Sequence, residues 1–210
     1  KGDAAGIYMP MLPEVLIALY ACLKIGAIAI PIFSGFGAEA VASRLEDAEA
    51  NILFTSDGGL RRGKTIEIKK EADSAAEIVK SLEHLIVYKR LGTDIPWNKD
   101  RDLWWHELVN AQPEECKTEW LDSEDVSLII YTSGTTGRPK GSVHTHAGCM
   151  AQMAKEVRYF FDIKDDDVFF WVTDIGWMMG PWMIIGGHCF ASTVLIYEGT
   201  INHPKPDRLW

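Results

Sequence analysis

The sequence predicts an α/β layered fold, with largely parallel sheets flanked by helices. Three observations carry this. Short apolar or β-branched runs alternate with segments whose apolar residues recur at helical spacing. Glycine and proline punctuate the boundaries between them. Hydrophobic residues make up 47% and charged residues 24% of the 210 positions, the balance of a globular chain that can bury a sizeable core.

In chain order, Gly6-Ile7-Tyr8-Met9 reads as a short strand. Pro13 suits a first helical turn, where its missing N–H is not needed. Val15, Leu16, Leu19, Cys22 and Leu23 then share one helix face, and Gly26 supplies the C-terminal cap. Ile28 to Ile32 is the next strand. Ala38, Val41, Leu45 and Ala48 mark a second helix, with Glu39, Arg44, Glu46 and Glu49 on its wet face. Asn51 to Thr55 is a strand, Ala75 to Leu82 a helix, Leu85 to Tyr88 a strand and Leu103 to Val109 a helix, with Trp104 and Trp105 docking it to the sheet. Residues 111–125 are polar, contain Pro113 and read as a linker between a first α/β portion, 1–110, and a second, 126–210. The second portion begins with strand Val126 to Tyr131. A short strand, Ser142 to Thr145, a helix, Ala147 to Phe161, and strands Val168 to Val172 and Thr193 to Tyr197 follow. Strand–helix alternation calls for right-handed crossovers between parallel strands.

Charge and cysteines narrow the function. A formal net charge of -9 and a pI near 5.1 argue against bulk binding to nucleic acid or an anionic membrane. An anionic ligand must find a local positive pocket. Cys22, Cys116, Cys149 and Cys189 form no CxxC pair, and their contexts point to a reducing, cytoplasmic compartment. The most apolar stretch, Val15 to Phe33, is broken by Lys24, Gly26 and Pro31, too soon for a membrane span. No signal peptide is visible.

The segment YTSGTTGRPKG, residues 131–141, follows the apolar strand directly. Backbone N–H groups of such a loop converge on an anion, and glycines permit close approach. Hydroxyls of Thr132, Ser133, Thr135 and Thr136 can donate to phosphate oxygens, and Arg138 and Lys140 add charge. A GxxxxGK[ST] loop is excluded, because Lys140 is followed by Gly141 and then by a strand pattern. Pro139 also biases Arg138 away from the helical region. His144 with His146 and the run Asp165-Asp166-Asp167 are too sparse for a metal site. The aspartates read as a solvated turn.

YTSGTTGRPKG resembles the signature loop of the AMP-forming acyl-CoA synthetases, within the adenylate-forming superfamily. The segments GIYMPMLPEVLIALYACLKIGAIAIPIFSGF, TSDGGLRRGKTIEIKK, RDLWWHELV and TDIGWMMGPW are similar to acetyl-CoA synthetase segments in the same order, so the resemblance covers essentially the whole chain. It implies the large N-terminal domain of these enzymes and a two-step reaction. A short-chain carboxylate and ATP, with Mg²⁺, form acyl-AMP and pyrophosphate. Coenzyme A thiol then takes the acyl group. No protein nucleophile is needed, since aligning the reactants and stabilising moving charge do the work.

The resemblance also implies site residues. Thr132, Ser133, Gly134, Thr135, Thr136, Gly137 and Lys140 would hold the ATP phosphates, with Lys140 as catalytic cation. Trp177, Met178, Met179 and Gly180 would line the acyl pocket. Small β-branched residues are usual where Met178 and Met179 stand, so acetate, propionate, a branched short acid and a hydroxy acid all stay open. Phe33, Ser34, Gly35, Arg61, Arg62, Gly63, Lys64 and Asn202 would contact coenzyme A. No metal ligand is implied. The chain is expected to be an N-terminal fragment, with the adenine-binding segment, hinge and C-terminal catalytic lysine beyond residue 210, and to be inactive alone. Two alternatives remain. One is an amino-acid-activating domain in which Asp174 takes the substrate ammonium. The other is a non-catalytic ATP-binding module.

Overall fold

The computed structural model describes residues 1–132 and 139–210. In chain order the elements are β1 (Ala4–Ile7), α1 (Pro13–Ile25), β2 (Ile28–Pro31), α2 (Ala38–Asp47), β3 (Ile52–Ser56), β4 (Gly59–Arg61), β5 (Lys64–Ile66), α3 (Ile68–Ile78), β6 (His84–Tyr88), β7 (Asp102–Trp104) and α4 (Trp105–Asn110). Then come β8 (Val126–Thr132), β9 (Lys140–Thr145), α5 (His146–Phe161), β10 (Val168–Phe170), α6 (Met179–His188) and β11 (Thr193–Leu195).

A seven-stranded sheet runs in the order β7-β6-β3-β1-β2-β8-β9. All its neighbours pair in parallel except β8 and β9, which form an antiparallel pair. β10 and β11 form a separate parallel pair, and β4 and β5 an antiparallel hairpin. Successive strand residues serve opposite faces, as the strand period requires. Ile7, Ala29, Leu128 and Ile130 join one apolar cluster with Val15 and Leu19 of α1, Met153 of α5 and Met183 of α6. Ile30, Leu53, Leu85 and Tyr131 join a second with Val41 and Leu45 of α2 and Ala72 of α3. The central strands are thus covered on both sides, as parallel strands usually are.

Helix α1 begins at Pro13 and ends at Gly26, whose φ of 70° is left-handed and whose N–H reaches back to the last turn. Thr145 caps α5, its Oγ1 accepting from Gly148 N. Between α4 and β8 the chain has no helix or strand. It returns to the end of α1, where Glu119 N donates to Lys24 O at 3.0 Å. The portions before and after this stretch contribute strands to the same sheet.

Several expected boundaries shift. The first strand starts at Ala4 rather than Gly6, and the predicted helix 75–82 lies at Ile68–Ile78. Its core face includes Lys69, only 1% exposed, which hides the apolar period. Leu103 and Trp104 belong to a strand rather than a helix start. Trp105 docks edge-on to Phe54 and Tyr88 as expected, whereas Trp104 stacks on Trp97. Helix α6 was not foreseen. Gly180 through Gly187 are all buried, so it has no polar face to generate a period.

Candidate functional site

The loops that leave β1, β2 and β3 at their carboxyl ends enclose a cleft of 480 Å³, with Met11, Ser34 and Leu60 among its lining residues. From β1 the chain crosses to β2 on one side, and from β3 to β6 on the other. This is a topological switch point, where open α/β sheets leave a crevice beyond the strand ends. Segments 171–174 and 197–201 complete the walls.

One wall is aromatic and cationic. Phe33 lies 5.3 Å from Phe36 and 5.5 Å from Trp177, centroid to centroid. Arg61 Cζ sits 5.2 Å from the Phe33 ring, close enough for a cation–π contact. Gly35 makes room for it, since a Cβ there would overlap Arg61 Nη1. Arg44 Cζ lies 4.2 Å from the Phe36 ring and 5.9 Å from that of Tyr131. A contiguous run of side chains therefore joins Trp177 to the end of β8. There Tyr131 donates its hydroxyl proton to Asp47 Oδ2 at 2.6 Å. Burial, the Asp47 bond and the Asp47 charge hold Tyr131 in its neutral form.

Asp174 ties the two sides together. Its Oδ2 accepts from Ser34 Oγ at 2.6 Å and its Oδ1 from Gly176 N at 2.9 Å. Burial pushes its pKa up, against the pull of Ser34, Gly176 and Arg61. With both oxygens engaged inside the chain, Asp174 is a poor seat for a substrate ammonium, which weakens the amino-acid-activating alternative. Gly176 permits the approach, because a Cβ there would overlap the Phe33 backbone. Gly180 allows α6 to pack under the Asp174 carbonyl, 2.5 Å from where its Cβ would lie.

The basic cluster resolves into a hairpin. Arg62 and Gly63, with φ of 51° and 71°, form the two-residue turn between β4 and β5. Positive φ at both positions is the hairpin turn requirement, so Gly63 has a backbone reason to be there. Arg61 and Lys64 are paired partners, which puts them on one side of the hairpin. Arg61 lines the cleft. Arg62 and Lys64 are exposed, as is Asn202, whose neighbour His203 abuts Gly63.

Of the four expected acyl-pocket residues, Trp177 and Met179 line the cleft. Trp177 remains 48% exposed. Met178 packs against the main core instead, and Gly180 is buried beneath Asp174. Thr132 and Lys140 are the last cross-strand partners of β8 and β9 before the connecting segment, which puts their exposed side chains on the same face of the sheet. Ser133, Gly134, Thr135, Thr136, Gly137 and Arg138 lie outside the described residues. Burial lowers the pKa of His144 and of His146. Among the described residues no three His, Cys, Asp or Glu come together as a metal site. Asp167 closes its turn by accepting from Lys164 N. Sequence reasoning missed the walls made by Met11, Leu60 and 197–201, which carry no motif signal.

A crevice at the switch point of a largely parallel sheet, covered by helices on both faces, defines an open α/β protein. The chain belongs to the family of AMP-binding enzymes, which matches it over residues 1–210. It is 44% identical over 211 residues to the acetyl-coenzyme A synthetase of Methanothrix thermoacetophila and 42% identical over 212 residues to that of Escherichia coli K12. Each comparison covers 100% of this chain and 32% of the relative. The acetoacetyl-CoA synthetase from Streptomyces lividans superposes with a TM-score of 0.89 at 30% identity, over 98% of this chain and 31% of that one. The chain therefore spans about a third of the length of the relatives it matches. No helix among the described residues is long and apolar enough to cross a membrane.

Proposed function

We propose that this chain is part of an acid–thiol ligase that activates a short-chain carboxylate, acetate or a near relative, and passes it to coenzyme A. In the first step a carboxylate oxygen bonds to the α-phosphorus of ATP, and pyrophosphate leaves. In the second, the coenzyme A sulfur bonds to the acyl carbon, AMP leaves and the thiol proton is released. The observation that carries this reading is the contiguous run Trp177–Phe36–Arg44–Tyr131. It links the cleft to the strand that enters the hydroxyl loop, so both substrates can meet on one face.

In this reading the loop from Thr132 to Lys140 holds the departing phosphates. Lys140 supplies positive charge as charge accumulates on pyrophosphate. Trp177 and Met179 shape the acyl side. Methionine conforms to irregular apolar volumes, and one methylene discriminates by only about 1–3 kcal/mol, so several short acids are expected substrates. Phe33, Ser34 and Arg61 face the coenzyme side, with Arg62, Lys64 and Asn202 around its rim. An Arg can grip a phosphate bidentately, whereas Lys64 offers a point charge. Magnesium accompanies ATP in this chemistry. The described residues offer it no carboxylate cluster. Reduced Cys22 and Cys149 in the core suit a cytoplasmic setting.

The test is ATP–pyrophosphate exchange by the full-length protein with carboxylates from C2 to C6, followed by acyl-CoA formation. Carboxylate-dependent exchange is expected, with Lys140→Ala costing on the order of 2–4 kcal/mol in that step. Exchange that ignores the carboxylate overturns the proposal, and unchanged exchange in the variant removes Lys140 from the site.

A further inference from the structure

We propose that Arg90 and Glu198 are positioning residues for the thiol cosubstrate, clasping segment 197–203 onto the β4–β5 hairpin and so fixing one wall of the cleft. The proposal rests on the coenzyme A reading above. Neither residue belongs to the motifs that suggested that reading.

The clasp is built outward from a buried anchor. Asp57 follows β3 and is 3% exposed. Its carboxylate accepts from the backbone N–H groups of Arg90, Leu91, Gly92 and Thr93, at 2.6 to 3.2 Å. Four donors on one carboxylate hold the turn after β6 in place, so Arg90 projects from a fixed base. Its Nη2 and Nε donate to Glu198 Oε2 at 2.9 and 3.3 Å. The other Glu198 oxygen accepts from Leu60 N on β4 at 3.0 Å. Glu198 thus joins β6 to the edge of the hairpin, and its side chain is only 13% exposed.

This matters because segment 197–203 has no strand or helix to hold it. Residues 197–201 line the cleft, as does Leu60. The segment meets the hairpin twice, at Leu60 through Glu198 and at Gly63, where an added Cβ would come within 2.7 Å of His203 Nε2. These two contacts flank Arg61, and Asn202 lies between the residues that make them. Loss of the ion pair releases the segment to many conformations, and ordering it again opposes ligand binding. The core does not depend on it, since a peripheral ion pair contributes little to global stability.

Glu198→Gln keeps an acceptor for Leu60 N and removes the charge facing Arg90. Arg90→Met keeps the stem and removes the fork, and Arg90→Lys restores the charge. In the full-length enzyme, both Glu198→Gln and Arg90→Met should raise KM for coenzyme A on the order of tenfold. In Arg90→Met, whose side chain does not line the cleft, carboxylate-dependent ATP–pyrophosphate exchange and the melting temperature should stay near wild type, and Arg90→Lys should recover part of the loss. Unchanged KM for coenzyme A in both variants overturns the inference. So does a parallel fall in exchange in Arg90→Met, which marks general damage. A wild-type enzyme that exchanges but transfers no acyl group to coenzyme A overturns the coenzyme A reading, and this inference with it.

Discussion

Replacing Lys69 by methionine should expose how the base of the arginine-bearing hairpin is held. Lys69 lies in α3, three residues beyond the end of β5, and its ammonium is enclosed. Its Nζ donates to Asp73 Oδ1 at 2.6 Å, Asp102 Oδ2 at 2.8 Å and the Pro96 carbonyl at 3.3 Å. Methionine fills similar space but leaves the Asp102 carboxylate, whose side chain is wholly buried, without that cation. Removing one partner of a buried pair costs about 3–5 kcal/mol. Asp102 keeps Arg101 Nε at 2.7 Å and Asn98 N at 3.0 Å, so the lower part of that range, about 3–4 kcal/mol, is expected.

The network also has a pH signature. Burial raises the Asp102 pKa, but Arg101, the Asn98 N–H and Lys69 together outweigh it and hold the group below its ordinary value. A depressed native pKa adds stability that is complete above the unfolded pKa near 4 and is lost as pH falls through the native value. Without Lys69 the depression shrinks, so less stability should be lost on acidification and the loss should be complete at a higher pH. Urea unfolding of the full-length protein at pH 7 and through the acid range measures both effects. Lys69→Met/Asp102→Asn should recover part of the loss, since no carboxylate is then left unpaired. A single variant within about 0.5 kcal/mol of wild type at pH 7, with an unshifted acid limb, refutes the reasoning.

Two further outcomes are expected at the cleft. Gly176→Ala forces a Cβ into the Phe33 backbone, so about 1–3 kcal/mol of stability should be lost, with a higher KM for coenzyme A because Phe33 moves. An unaltered urea midpoint contradicts this packing. Asp174→Asn preserves an acceptor for Gly176 N and a polar partner for Ser34 while deleting the charge. The native pKa of Asp174 is raised, so its ionisation removes stability as pH climbs from about 4 through the native value. The variant should show a flatter stability–pH curve across that interval, and a curve superimposable on wild type counts against the buried carboxylate.

Much of the frame was readable from residue order. Pro13 and Gly26 bound α1 as expected, because a missing N–H and a positive φ are properties of single residues. The strands that flank YTSGTTGRPKG, β8 and β9, were legible too, since a short apolar or β-branched run is local information. The hairpin turn at Arg62-Gly63 was less visible. Its strands have three residues each, too few to show alternation.

The sequence by itself determined most of the central strands, the limits of α1 and which family the chain resembles. The tertiary structure alone decided that Asp174 bonds to Ser34 across 140 positions, that Lys69 is buried, and that 197–201 forms a wall. Periodicity and composition report what each residue prefers nearby. A partner far along the chain is chosen by which surfaces the packed sheet brings together.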